Sequence, residues 1–432
     1  MNRLLILAVF FLAGCAKPDS KRQETNLNGS WQITKTDLSS GLPLAFDAEV
    51  PVPGLVDMAV PMLDETDTAY ENTMYWYRKE FVLDHPEKQV ALLKINKAKY
   101  HTRVFLNGEF VGENTYSFTP SVFDIKPFLK PGNEKNELII SVGCKGNLPD
   151  SVTHGNDFEK TKYIPGIYDD VKIIQSDPPY ISNVQLVPDL INQQLRVVTE
   201  IIPATDMLKV PLSYTISEVA TGKTFRKGKI TAPFDKSNEL QKVDFTIDMK
   251  GFSAWSPESP FLYELDIQTT GDNQRTRFGM RTFEALKDSG TFLLNGKPYY
   301  MRGTNVCIFR FFEDPDRGSL PWQSPWVTNL HLRFKDMHWN SIRYCIGFPP
   351  ERWYEIADSL GFLIQDEYPV WTGGKGGFEA SLPNLTPTRL AEEYRHWMRE
   401  RQNHACVVIW DAQNESVTDV TGKAIQIARK TT

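Results

Sequence analysis

The sequence predicts a multidomain protein of class β followed by α/β: an N-terminal jelly-roll β-sandwich, an immunoglobulin-like β-sandwich, then the first half of a (β/α)8 TIM barrel. Three observations carry this expectation. Short alternating strands separated by turn residues fill the chain from about Leu27 to Glu284. Pro178-Pro179 divides that stretch in two. After Glu284 the apolar period changes, and helical patterns alternate with apolar strand runs, as in a parallel sheet wrapped by helices. The expected domains are 27–177, 178–284 and 285–432.

The 432 residues are enough for two to four domains with a large core. Aromatic residues make up 12% and there are 10 Trp, a content that suits carbohydrate-stacking surfaces and equally suits large buried sandwiches. The net charge of -6 comes from scattered rather than clustered Lys and Arg, which excludes the electrostatic footprint of a nucleic-acid binder. Cys144, Cys307, Cys345 and Cys406 lie far apart without a Cys-x-x-Cys spacing. The last three sit in or beside apolar runs and read as buried thiols. No metal or cofactor is expected.

In the first domain, Trp76 to Leu83 alternates, and Thr102 to Leu106 runs into Asn107-Gly108, the signature of a tight hairpin. Further strands are expected over Phe118 to Ile125 and Glu137 to Val142. In the second, Leu195 to Ile202, Leu212 to Ser217, Lys229 to Thr231 and Val243 to Ile247 are spaced as in one sandwich. The third opens on a hairpin around Asn295-Gly296, and Tyr299 to Asn305 is read as the first barrel strand and its loop. A helix with Leu330, Phe334 and Met337 on one face leads to the strand Ser341 to Tyr344. A second helix starts near Pro350 and stops at Gly361, before the strand Phe362 to Glu367. A third has Thr386 as N-cap and Pro387 at its first position. It delivers the run Cys406 to Trp410, and Ala424 to Arg429 begins another helix. Four strands make half a barrel, whereas a full one needs roughly 250 residues; the second half is absent from these 432 residues.

The first residues read differently. Asn2-Arg3, the apolar run Leu4 to Leu12 and Ala13-Gly14-Cys15 have the layout of a secretory signal, too short to span a bilayer. Leu12-Ala13-Gly14-Cys15 resembles the bacterial lipoprotein box, which implies cleavage before Cys15 (1–14 as signal peptide), acylation of Cys15, a polar tether over 15–26, and a location at the bacterial cell envelope, periplasmic or surface, through a lipid anchor. No other segment is long and apolar enough to span.

The run ending in Asp411, Gln413, Asn414 and Glu415 is a strand that breaks into a cleft, placing Glu415 at the carboxyl end where barrels carry chemistry. By itself it reads equally as a buried strand followed by a helix N-cap. Val104 to Gly112, the series Trp255-Ser256-Pro257-Glu258, Leu262-Tyr263 and Gly279-Met280-Arg281, then Arg302 to Asn305, Asn340 to Arg343, Asp366-Glu367, Arg401 to His404 and Asn414-Glu415 together resemble glycoside hydrolase family two, whose members include β-galactosidases, β-glucuronidases and β-mannosidases. The resemblance implies that Glu415 is the catalytic acid/base, that Asn414 contacts the sugar 2-hydroxyl and that Arg343 steadies the site. Asn305, Asp366, Glu367 and Trp371 join them as candidate substrate-binding residues, Asp366-Glu367 chiefly as hydrogen-bonding support.

Retention of configuration needs two carboxylates about 5 Å apart, and the family takes its nucleophile from a later strand. Two places where the family often has His read Asn305-Val306-Cys307 and Tyr344-Cys345. The glycine-rich loop Trp371 to Phe378 does not stand between a strand and a helix start, so it is a loop at the cleft rather than a phosphate cradle. Two functions follow: a retaining β-glycosidase acting on oligo- or polysaccharides, represented by an incomplete chain, or a glycan-binding or inactive envelope lipoprotein derived from one.

Overall fold

The computed structural model describes residues 21–63, 73–157, 159–160, 162–204, 207–234, 239–371, 382–415 and 418–431. Cys15 lies outside the described residues, as does the glycine-rich loop beyond Trp371.

The first domain is two packed antiparallel sheets. One has six strands in the order Ala48–Val52, Gly29–Asp37, Thr73–Phe81, Asn136–Val142, Thr102–Leu106 and Glu109–Asn114; the other has four, Gln23–Asn26, Val171–Ser176, Val90–Ile95 and Ser121–Asp124. Alternation sets the faces: Ala91, Leu93 and Ile95 are buried while Val90, Leu92 and Lys94 are less so. Asn107 and Gly108 both take positive φ, 53° and 86°, as the tight hairpin turn requires. Gln23–Asn26, expected within the tether, instead pairs along Val171–Ser176 as an edge strand, because Glu24 and Lys172 reach each other at 2.7 Å and the Arg22 guanidinium is held by Asp272 in the next domain.

The second domain has sheets of three and four strands, Tyr180–Asp189/Gln194–Ile202/Gln241–Asp248 and Thr224–Pro233/Lys209–Glu218/Tyr263–Gln268/Asn273–Phe278. It closes on its own core around Val197, Ile201, Ile216, Leu265 and Ile267.

The third domain begins with a small sheet, Phe283–Leu286, Thr291–Leu294 and Lys297–Tyr299, turning through Asn295 and Gly296. Tyr299 therefore belongs to this hairpin, and the first barrel strand is only Gly303–Val306. It is followed by Ser341–Tyr344, Leu363–Glu367 and Val407–Asp411, all parallel and in sequence order. Helices Ser324–Asp336, Glu351–Leu360 and Pro387–Arg401 connect them, and Asp419–Thr431 follows the fourth. The Thr386 hydroxyl accepts from Arg389 N–H at 3.2 Å, and Gly361 ends its helix at φ +75°, the two terminal devices expected from sequence.

One short helix escaped the sequence, Ile308–Phe312 after the first barrel strand. Its Phe309 packs on Phe118 and Tyr168 of the first domain, so sandwich and barrel share one continuous core. The second domain clamps the barrel from another side. Arg281 donates to the carbonyls of Ala405 and Val407 at 2.9 and 2.5 Å, at the entry to the fourth strand. Asn403 exchanges hydrogen bonds with Leu186 N–H and the Val184 carbonyl, both at 2.8 Å. Trp255 donates its indole N–H to the Asp358 carbonyl. A Cβ at Gly279 would stand 2.7 Å from Trp255 and 2.8 Å from Ala405, so only glycine allows that approach.

Candidate active site

The site is assembled at the carboxyl ends of the four parallel strands. The register pairs Asn305 with Arg343 and Arg343 with Gln365, while Glu367 pairs with Asp411. Because side chains alternate along a strand, Arg343, Gln365, Glu367 and Asp411 share the inner face, and Tyr344, Asp366 and Trp410 point to the helix layer.

Arg343 is the hub. Its guanidinium donates to Glu367 Oε2 and, at 2.8 Å, to Asn414 Oδ1, and its Nε stands 3.7 Å from Asp411 Oδ2. The other Glu367 oxygen accepts from Ile346 N–H at 2.7 Å. Burial pushes the Glu367 carboxyl up to about 7, with Arg343 and the Ile346 amide pulling the other way. Asp411 also accepts from Gln365 at 2.7 Å. Gln365 and Asp411 were not singled out from the sequence; the signal was present as the period-two spacing from Gln365 to Glu367 and the register with Asp411.

Asn414 is buried, and its N–H donates to the Val370 carbonyl at 2.8 Å, with Trp371 bridged alongside it. Since Arg343 engages Oδ1, the amide presents its Nδ2 hydrogens, which have no acceptor among the described residues, as donors to a ligand oxygen. Glu415 follows directly. It is exposed and takes a left-handed backbone at φ +49°, a conformation that a non-glycine residue holds only where its surroundings impose it and one that clusters at functional sites. Asn305 is exposed on the first strand and Trp371 is half-buried at the mouth.

Asp366 is placed differently from a substrate-binding residue. It is fully buried behind the sheet, accepting from Tyr354 at 2.6 Å and Trp397 at 2.7 Å and facing Arg401 at 3.3 Å. One residue of alternation turns it away from the cleft and onto the helices Glu351–Leu360 and Pro387–Arg401, which it supports. Cys307, expected as a buried thiol, is only half-buried; Cys144, Cys345 and Cys406 are buried, and all four are free.

Asp358, His404 and Cys406 offer potential ligand atoms within 4.8 Å of one another. Both imidazole nitrogens are already engaged, Nδ1 with Asp358 at 2.6 Å and Nε2 with Glu351 at 2.5 Å. Burial alone would lower the His404 pKa, but the two carboxylates outweigh it and hold the ring well above the usual range. The group is an ion-pair cluster in which the imidazole ring, held between two carboxylates, has no lone pair left for a metal.

The architecture and site define a class: a barrel enzyme fold with an Asn-Glu pair at the end of its fourth strand, preceded by two β-sandwiches. Comparison with known families agrees along the chain. Residues 31–163 match the glycosyl hydrolase 2 galactose-binding domain-like model, 179–281 the glycosyl hydrolases family 2 model and 285–432 the family 2 TIM barrel model. This chain belongs to glycosyl hydrolases family 2. A β-galactosidase of Thermoanaerobacter pseudethanolicus is 26% identical over 92% of this chain and 52% of its own, and one of Klebsiella pneumoniae (strain 342) is 24% identical over 92% and 37%. The chain thus spans about half or less of the length of these relatives. The crystal structure of Bacteroides uniformis β-glucuronidase superposes with TM-score 0.73 at 22% identity, covering 95% of this chain and 50% of that one. Bifidobacterium dentium β-glucuronidase superposes at 0.70 with 19% identity, covering 96% and 72%. These two establish the shared fold.

Proposed function

We propose that the chain supplies the acid/base half of the catalytic pair of a retaining β-glycosidase acting on carbohydrate. The observation that carries this reading is Glu415, exposed in a left-handed conformation at the end of the fourth strand, beside an Asn414 amide whose oxygen Arg343 has fixed.

In the first step the Glu415 carboxylic acid donates its proton to the glycosidic oxygen as the bond to the anomeric carbon breaks and a nucleophilic carboxylate forms the glycosyl ester. In the second, the Glu415 carboxylate takes a proton from water, whose oxygen attacks the anomeric carbon and releases the ester. The Asn414 Nδ2 hydrogens bind a sugar hydroxyl oxygen on the side of the anomeric carbon, and Trp371 offers a stacking face. No second unpaired carboxylate is seen on the inner face of the four described barrel strands, since Glu367 and Asp411 are both tied to Arg343 or Gln365; the reading needs a nucleophilic carboxylate from outside these four strands.

The test is hydrolysis of a panel of β-galactosides, β-glucuronides and β-mannosides by the full gene product, with Glu415→Gln beside it. The proposal expects turnover of one sugar class and a loss of about 10² to 10⁴ in the variant. Binding of glycans without hydrolysis would favour the non-catalytic reading instead.

We also propose that the polypeptide is exported, cleaved before Cys15 and anchored by a lipid on Cys15 to a bacterial envelope, on the strength of Leu12-Ala13-Gly14-Cys15. No helix among the described residues is long and apolar enough to cross a membrane. Cys15→Ser should move the protein from the membrane fraction to the soluble one, and unchanged partition contradicts the anchor.

A further inference from the structure

Cys307 and Cys345 follow the first and second barrel strands directly, at the same level. The register pairs Asn305 with Arg343 and Val306 with Tyr344, and Cys345 N–H donates to the Val306 carbonyl at 3.1 Å. The next pair across the strands is therefore Cys307 and Cys345, on adjacent backbones about 4.8 Å apart, inside the range of about 4.4 to 6.8 Å that a disulfide bridges without backbone movement. Both side chains leave the sheet on the face of Asn305 and Arg343, and their sulfurs stand 2.9 Å apart. Among the described residues Cys144 and Cys406 have no such neighbour: Cys144 Sγ donates to the Thr73 carbonyl and Cys406 Sγ to the Tyr354 carbonyl.

We propose that Cys307 and Cys345 are a dithiol that oxidises to a disulfide across the mouth of the barrel when the protein meets a small-molecule disulfide.

The two sulfurs differ as attacking and resolving thiols should. Cys307 is half-buried and Cys345 buried, so an oxidant reaches Cys307 first. The hydrogen bond from Cys345 holds the Cys307 thiol down to about 7, against the effect of burial and with help from Arg310 and Arg343; a thiol near ambient pH is the best nucleophile for exchange. The Cys307 thiolate attacks one sulfur of the small disulfide, forming a mixed disulfide and expelling a thiolate that takes up a proton. The Cys345 thiolate, having released its own proton, then attacks Cys307 Sγ and expels the second small thiol. Two electrons pass from the cysteine pair to the small disulfide, and the two cysteine protons end on the two thiols released.

The test uses the full gene product and does not depend on its activity. Reduced protein is incubated with oxidised glutathione, quenched in acid, alkylated with N-ethylmaleimide under denaturing conditions and digested with trypsin. Cleavage after Arg302, Arg310, Arg343 and Arg352 places the two cysteines on separate peptides, 303–310 and 344–352. The proposal expects alkylation of both to fall together, a cross-linked peptide joining them, recovery on adding a reductant, and unchanged alkylation at Cys144 and Cys406. In Cys345→Ser, Cys307 should stop at the glutathione mixed disulfide. Full alkylation of both cysteines in the treated wild type overturns the proposal, and so does a wild type whose Cys307 ends as the mixed disulfide.

Discussion

The Arg343 guanidinium joins the second, third and fourth strands through Glu367, Asn414 and Asp411. A lysine there keeps the charge but is a single point donor, unable to hold two acceptors in a fixed fork. Arg343→Lys should therefore weaken glycoside binding about tenfold, the worth of one hydrogen bond to a charged group, with little change in unfolding midpoint. An unchanged KM would show that Asn414 is oriented by something else. A second residue-scale prediction concerns pH. His404 is held above the ordinary imidazole range by Asp358 and Glu351 despite its burial, and Glu351 is held below the ordinary carboxylate range by His404, again despite burial. The histidine contribution is complete below the unfolded value of about 6.5 and is lost as pH rises toward its folded value; the Glu351 contribution is complete above about 4.5 and is lost on acidification. Stability from this pair is therefore greatest between those values, and on the alkaline side it falls with a slope of up to about 1.4 kcal/mol per pH unit. Urea unfolding against pH should show that slope in the wild type and a flatter one in His404→Gln.

At the scale of elements, helix ends and hairpins were legible because single residues decide them. Thr386 caps its helix through one hydrogen bond, so Thr386→Ala should cost about 1 kcal/mol in thermal or urea unfolding. Asn295-Gly296 and Asn107-Gly108 turn as their composition requires. The elements that were not legible depend on distant partners. Ile308–Phe312 is five residues long, too short for a period to show, and exists because Phe309 and Phe312 find Tyr168 across a domain boundary. Gln23–Asn26 reads as polar tether until Val171–Ser176 offers it an edge. The direction of Asp366 is a matter of strand register, which a run such as Leu-Ile-Gln-Asp-Glu, buried along almost its whole length, does not reveal. Glu415 and Asn414 were visible from the break in apolar pattern and the family resemblance, whereas the Arg343 connection that orients Asn414 is a tertiary fact.

Across the whole molecule, the two sandwiches act as braces for the barrel. Lys97 of the first domain is fully buried and meets Asp169 at 2.6 Å and two barrel-helix carboxylates, Glu400 at 3.0 Å and Glu351 at 3.7 Å. Removing one partner of a buried charged cluster leaves the others uncompensated. Lys97→Met should destabilise the folded chain by about 3 to 5 kcal/mol, visible as a lower unfolding midpoint or as a barrel that unfolds before the sandwich. A midpoint unchanged within error would mean that the Phe309 cluster and the other ion pairs across this boundary, such as Arg310 with Asp157 and Arg317 with Asp57, hold the interface without Lys97. Through Glu400, the same helix carries Arg401 against Asp366 and leads to His404, so the brace reaches the fourth strand and its terminal Asn-Glu pair.

The most direct measurement of the central claim compares Glu415→Ala with wild type in the full gene product on two β-glycosides of the same sugar, one with an activated aryl leaving group and one whose leaving group needs protonation, with and without azide. General acid assistance is worth about 10² to 10⁴ in rate, and an activated leaving group departs without it. The expected result is a loss of that size for the poor leaving group, a near-normal first step for the activated one, and recovery of its second step by azide, which attacks the glycosyl ester without a general base. An equal and small loss on both substrates, with no response to azide, would make Glu415 a structural carboxylate and contradict the account.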